Sequence, residues 1–428
     1  MIQQNGRTSK SPQVRLELEK FAEDAQRNLR SLKGKLGSKT FKFKPAKGVP
    51  IPKTDIAGKP TGKIRPIVLA PVESRIVQRA ILNVLVEIEG LRPFVKTPYS
   101  FGGIRSNRRR DEERREDELS AVPAAIRAVL KEIENGARFV ASADIRAFFT
   151  RISKSHVINV ICKAIDDAEF IAFLREAINV ELENIALLKE KAEEFPTEEI
   201  GVAQGNSLSP LLGNIALAEF DKSLNEGDCR CIRYIDDFII LAPSLKAANA
   251  RLNRAKKILS DLGMDLSSEK SSKGGFPITN SFDFLGITIS PGLIRPSSKS
   301  QSRFLASITS VFLESSKAMN SFKSGKLLER DRSLISTLKR VDGMLDGWGK
   351  HYWFCNDNQT FANMDAQVSA KISSFLGNYR SVRSNTPLAK QMSLLGLTEL
   401  AKIPREAFRY PKLSASATKP QHAKKQGT

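Results

Sequence analysis

Three acidic residues carry the most chemistry in this chain. Asp236 and Asp237 are adjacent, inside Arg233-Tyr234-Ile235-Asp236-Asp237-Phe238-Ile239-Ile240-Leu241, between apolar runs rich in β-branched and aromatic residues. In one strand, neighbouring carboxylates point to opposite faces, and burying both is costly. At the tip of a hairpin both can face a cleft, where their oxygens suit a hard cation such as Mg²⁺. A bare Asp-Asp pair also makes an ordinary turn, but an ordinary turn needs no apolar frame. Asp144 lies 92 residues earlier, in Phe139-Val140-Ala141-Ser142-Ala143-Asp144-Ile145-Arg146-Ala147-Phe148-Phe149. Alone it reads equally as a strand-terminating cap. Carboxylates from two strand ends can share two ions about 4 Å apart, an arrangement for in-line phosphoryl transfer. One ion would lower the pKa of a primer 3′-hydroxyl. The other would clamp a triphosphate and its departing pyrophosphate.

The elements that must position these groups follow from periodicity. Residues 138–144 and 64–70 read as strands, 230–242 as a hairpin and 282–290 as a strand. Helical spacing covers 15–36, 73–89, 121–135, 155–195 and 246–263. Lys42 to Pro60, rich in Lys, Pro and Gly, reads as an extended loop. Residues 105–118 are mixed in sign and devoid of apolar side chains, which predicts a solvated loop or helix tip. After residue 300 the pattern is helical only, with Leu334, Leu338, Val341, Leu345 and Trp348 on one face. Residues 1–14 and 411–428 read as mobile tails. The order is a mixed α+β body followed by helices.

Composition narrows the partners. The 428 residues carry a formal net charge of +21, unevenly spread. Residues 1–70 hold 16 basic and 5 acidic side chains, residues 301–428 hold 20 and 9, and the middle is near neutral. Two basic flanks around a centre that tolerates carboxylates suit a polyanion such as nucleic acid; a generic basic surface is the plainer alternative. Apolar residues make up 41%, too many for a disordered chain. No run approaches 18 apolar residues, which predicts no membrane span. Four Cys, three His, no Cys-x-x-Cys and no secretory leader predict a reduced, cytoplasmic chain without a zinc finger.

The ordered series of motifs resembles the reverse transcriptases, and among them the group II intron-like enzymes. Tyr234-Ile235-Asp236-Asp237 resembles the YxDD box. Gly201-Val202-Ala203-Gln204-Gly205 with Ser207-Leu208-Ser209-Pro210-Leu211-Leu212 resembles VPQG…SPLL, with Ala203 where Pro is usual. Arg65-Pro66-Ile67 and Arg75-Ile76-Val77-Gln78 resemble fingers segments, and Leu266-Ser267-Ser268-Glu269-Lys270 the Lys-bearing palm segment. Phe284-Leu285-Gly286 resembles the primer-grip hairpin. Gly347-Trp348-Gly349-Lys350-His351-Tyr352-Trp353 resembles the helical thumb.

The resemblance implies an α+β right-hand fold: a basic extension and start of fingers (1–62), fingers (63–138), palm with an antiparallel sheet (139–295, helical insertion about 155–198), helical thumb (296–410) and tail (411–428). It implies catalytic Asp144, Asp236 and Asp237 holding two Mg²⁺ ions, with the Ile145 carbonyl as a further ligand. Lys63 and Arg65 would hold the triphosphate, Gln204 would meet the template–nucleotide pair, and Tyr234 would lie under the primer end. A cationic Lys270 could protonate pyrophosphate. Phe149 would clash with a ribose 2′-hydroxyl, which argues for deoxynucleotides and a DNA product. Lys339 and Arg340 would bind the nucleic-acid backbone. The implied partners are a noncoding RNA template, a DNA primer or product, and dNTPs. Within the family the chain also resembles the stand-alone bacterial enzymes of phage defence. The alternatives are an intron maturase acting mainly as an RNA-binding splicing factor, and an RNA-templated RNA polymerase, which Phe149 opposes.

Overall fold

The computed structural model describes residues 11–55, 59–104, 121–196 and 199–410. The expected tips and tails at 1–10, 105–118 and 411–428 lie outside the described residues. The chain divides into two compact units, residues 1–304 with 352–364, and residues 305–351 with 365–428.

The first unit opens with two helices, α1 (Pro12–Glu23) and α2 (Ala25–Gly37). One helix was expected across 15–36, and residues 12–14 were expected in a tail. Ser11 caps α1 through the Val14 N–H, and Asp24 breaks the run and caps α2 through the Arg27 N–H. A two-stranded ribbon follows, β1 (Lys47–Thr54) paired antiparallel with β2 (Pro60–Leu69). The Lys/Pro/Gly stretch expected as a loop therefore contains a strand. Its prolines donate no ladder bonds, and they are tolerated because β1 has one neighbour only. Helix α3 (Val72–Leu85) comes next, then the short β3 (Ser100–Phe101) and α4 (Ala121–Glu134).

A five-stranded sheet carries the candidate site, in the order β3, β5 (Arg230–Tyr234), β6 (Asp237–Ala242), β4 (Phe139–Asp144), β7 (Phe276–Pro277). All pairings are antiparallel except β3 with β5. Phe238 to Ala242 are buried without a break, so both faces of β6 are covered. Helix α9 (Leu245–Asp261) packs Leu252, Ala255 and Leu259 into the core that holds Phe238 and Ile240. Between β4 and β5 the expected helical stretch 155–195 is broken into α5 (Lys154–Cys162), α6 (Ala168–Ile178) and shorter turns. Helices α7 (Ser209–Ala216) and α8 (Ala218–Leu224) precede β5.

The segment expected as one strand over 282–290 is a hairpin, β8 (Phe282–Phe284) and β9 (Ile287–Ser290), joined to β10 (Leu293–Pro296) as a meander. Leu285 and Gly286 at positive φ make the turn. In the second unit, α11 (Leu334–His351) buries Val341, half-buries Leu334, Leu338, Leu345 and Trp348, and exposes the opposite face. Phe312 of α10 (Ser298–Lys323) stacks on Phe375 at 4.7 Å, and Ser315 of the same helix is tied to Thr337 of α11 by a 2.9 Å hydroxyl bond.

Candidate active site

The β5–β6 hairpin turns in two residues, because Tyr234 opposite Asp237 is its last pair and only Ile235 and Asp236 lie between. On the other side of β6, Asp237 stands opposite Asp144, the last residue of β4. Directly opposed residues lie roughly 5 Å apart at Cα and share a face. The Ile145 N–H donates to the Asp236 carbonyl at 2.8 Å, fastening the loop to the end of β4. Residues remote in sequence therefore meet at one edge of the sheet.

Burial and mutual repulsion govern the charges. The Asp237 carboxyl is pushed up to about 7, first by burial and then by Asp144 and Asp236, with Lys270 opposing. Asp236 is raised by burial and then by Asp144. Asp144 is 8% exposed, and its Oδ2 accepts a 2.6 Å bond from the Lys270 ammonium. Among the described residues no three His, Cys, Asp or Glu side chains are drawn together around one point. Lys270 instead occupies the cationic place beside Asp144. The donor set still suits a hard divalent ion: the three carboxylates offer oxygen only, and Asp236 and Asp237 are both destabilised by the charge of Asp144.

The segment after α9 runs along β4 beyond its short pairing with β7. Ser267 N–H donates to the Asp144 carbonyl at 2.8 Å, and the Ser271 and Ser272 hydroxyls accept from the Asp144 and Ser142 amides at 3.2 Å. Ile145 pairs with Leu266 through bonds made by its neighbours, Asp144 carbonyl and Arg146 N–H. Lys63 on β2 is ion-paired with Glu269, next to Lys270. Arg65 is exposed two residues before Ile67, which pairs with Gln204; the Val68 N–H donates to the Gln204 carbonyl at 3.0 Å. Phe149 is half-buried against Phe148 at 5.2 Å, and its carbonyl accepts from the Val202 N–H. Tyr234 lies beside Phe101 in the sheet, and a Cβ on Gly102 would fall 2.7 Å from its ring.

Phe284, Leu285 and Gly286 form the β8–β9 turn, whose Gly286 carbonyl accepts from the Ser297 N–H at 2.9 Å. Lys339 and Arg340 are both exposed on α11 in the second unit, and Arg340 lies 3.6 Å from Glu314.

Three features were not read from the sequence. Arg233 is fully buried beneath the Asp-Asp turn; a lone charge inside an apolar run was the signal. Gly102 and Gly103 both have positive φ and stand against Tyr234 and Pro210; a glycine pair hints at such a close approach. Ser271 and Ser272 gave no signal.

The sequence profile described as reverse transcriptase (RNA-dependent DNA polymerase) matches residues 51–289, more than half of the chain. Protein YkfC of Escherichia coli (strain K12) is 30% identical over 202 residues, 46% of this chain and 45% of that protein. The putative COX1/OXI3 intron 2 protein of Saccharomyces cerevisiae is 27% identical over 196 residues, 46% of this chain and 20% of that one. The chain thus spans less than half the length of either. Among solved structures, apo telomerase from Candida tropicalis, truncated of its C-terminal domain, aligns at 16% identity and TM-score 0.38, over 60% of this chain and 55% of that one. A partial Cas6-RT-Cas1–Cas2 complex aligns at 19% and 0.29, over 59% and 41%. Among the described residues no helix is long and apolar enough to cross a membrane. With the profile match spanning β1 through β9 and every carboxylate of the site, this chain belongs to the reverse transcriptase family.

Proposed function

We propose that the chain is an RNA-directed DNA polymerase that copies a structured noncoding RNA into cDNA, in defence against phage. One observation carries the polymerase reading: Asp144 stands opposite Asp237, with Asp236 in the adjoining loop. Two Mg²⁺ ions on Asp144, Asp236, Asp237 and the Ile145 carbonyl would supply charge stabilisation at the attacking and leaving oxygens. Lys63 and Arg65 bind the triphosphate. Gln204, whose backbone is tied to β2, orients the template–nucleotide pair. Tyr234 supports the primer end, and Phe149 excludes the ribose 2′-hydroxyl. Lys270 leaves Asp144 and delivers a proton from Nζ to the departing pyrophosphate. Residues 63–138 act as fingers, 139–295 as palm and 296–410 as thumb. In the thumb Lys339 and Arg340 meet phosphates; in the palm the Phe284–Leu285–Gly286 turn grips the primer. The RNA template and the defence role are supported by the resemblance to stand-alone bacterial enzymes.

The test is extension of a primer on an RNA template with dNTPs and Mg²⁺. Extension is expected, and Asp236→Asn should lower it by at least about 10³-fold. Absence of extension on any primed RNA, with the protein folded, ends the reading. Phe149→Ala should raise ribonucleotide incorporation roughly tenfold or more; unchanged sugar selectivity removes the gate. Sequencing nucleic acid co-purified from cells should return one dominant small RNA and its complement. A second reading, an RNA-binding splicing factor, is favoured by the likeness to a yeast intron protein. It prevails if Asp236→Asn with Asp237→Asn leaves RNA binding and the cellular activity intact.

A further inference from the structure

The loop that presents Asp236 and Asp237 is held in an unfavourable shape. Ile235 has φ +62°, a region that costs a β-branched residue dearly and that two-residue hairpins usually give to glycine. Something must over-determine that conformation. Both carbonyls of the loop are gripped. The Asp236 carbonyl accepts from the Ile145 N–H of the neighbouring strand end. The Ile235 carbonyl accepts a 2.8 Å bond from Arg233 Nη1.

Arg233 is 0% exposed. Its Nε and Nη2 make a two-pronged contact with Asp221 at 2.8 and 2.5 Å, and Nη2 also reaches Asn214 Oδ1 at 3.1 Å. Asp221 and Asn214, on α8 and α7, are themselves buried. Asn214 is fixed in turn by its Nδ2, which donates to the Phe94 carbonyl at 2.9 Å. The guanidinium is therefore aimed by two helices, and the aim ends on the one strained residue of the catalytic loop. A lysine would keep the charge beside Asp221 but could not present this planar fork to three partners at once.

We propose that Arg233 is a positioning residue: its buried guanidinium holds Ile235 at positive φ through the Ile235 carbonyl, and so keeps both carboxylates of the turn beside Asp144. The inference rests on the polymerase reading of the site. A purely structural ion pair would affect stability and leave metal binding alone.

The experiment is Mn²⁺ binding to the full chain by electron paramagnetic resonance, with circular dichroism and thermal unfolding on the same samples. Arg233→Lys should stay folded and weaken Mn²⁺ binding about tenfold, the scale of one lost charge-assisted hydrogen bond. In primer extension kcat should fall while the KM for dNTP stays. Adding Ile235→Gly to Arg233→Lys should recover most of the Mn²⁺ affinity, because glycine takes positive φ without strain. A folded Arg233→Lys chain with unchanged affinity overturns the proposal, and so does a double variant no better than the single. If Arg233→Lys does not fold, Asp221→Asn, which keeps the shape but loosens the guanidinium's anchor, takes its place: weakened Mn²⁺ binding in the folded chain supports the proposal and unchanged binding overturns it. Mn²⁺ binding indifferent to Asp236→Asn overturns the polymerase reading and this inference with it.

Discussion

The β5–β6 and β8–β9 hairpins both turn in two residues and both place a residue at positive φ. In the second, Gly286 takes one such position beside Leu285, and its carbonyl is met by the nearby Ser297 N–H and Ser300 hydroxyl. In the first no glycine is present. Ile235 carries the strain, and two helices and a neighbouring strand hold it through Arg233 and Ile145. Backbone strain of this kind costs on the order of 1–3 kcal/mol. In the Leu-Gly turn glycine takes one of the two positive-φ positions without strain, and the segment that follows holds its carbonyl. The Asp-Asp turn exists only because the rest of the unit surrounds it, and that is the arrangement a catalytic loop needs when two repelling carboxylates must stay together.

The comparison breaks most sharply at the carboxylates. Asp237→Asn should reduce RNA-templated extension by at least about 10³-fold, whereas Gly286→Ala, in the primer-gripping turn, should raise the apparent KM for primer and leave most of kcat per folded molecule. Equal losses in the two variants would erase the distinction. Gly286→Ala should instead cost about 1–2 kcal/mol in urea unfolding, because its φ is +78° and a Cβ would fall 2.9 Å from the Ser300 hydroxyl. An unchanged urea midpoint would refute the local account of that turn.

A smaller effect follows from the raised Asp237 carboxyl. Protonated in both states at low pH, it costs nothing there; ionised, it is disfavoured in the folded chain. That penalty builds as pH rises from the ordinary carboxylate range to about 7 and levels off above it. In EDTA, Asp237→Asn should therefore gain in Tm over the wild type between pH 5 and 8, and Mg²⁺ should narrow the gap by stabilising the wild type. A gap that shrinks with rising pH contradicts the electrostatics. The smallest effect lies outside both hairpins. Lys339→Gln should weaken RNA binding a few-fold and flatten the dependence of log affinity on log salt by about one. Arg340→Gln should do less, since Arg340 is partly neutralised by Glu314.

Much of this was legible in the sequence. The apolar composition and length of 138–144 and 230–242 foretold strands, and the Asp-Asp pair foretold the hairpin turn, but both carboxylates are half-buried there rather than clear of the core. Helical spacing foretold the face of α11 that buries Val341. Local reading failed where pairing decided the outcome. Pro50 and Pro52 looked like loop residues, yet β1 forms because β2 supplies the partners. The stretch 282–290 looked like one strand by its periodicity, and only the resemblance of Phe284-Leu285-Gly286 to a primer-grip hairpin marked the turn.

The sequence by itself determined which residues could do the chemistry, since residue type, local periodicity and turn composition are properties of short stretches of chain. Only the tertiary structure decided that Asp144 meets Asp237, that Lys270 reaches Asp144, and that Arg233 is buried against Asp221 to hold the turn. Those contacts join segments of chain that strand register and helix packing bring together, and a buried charge finds its partner only when the surrounding core has excluded water from both.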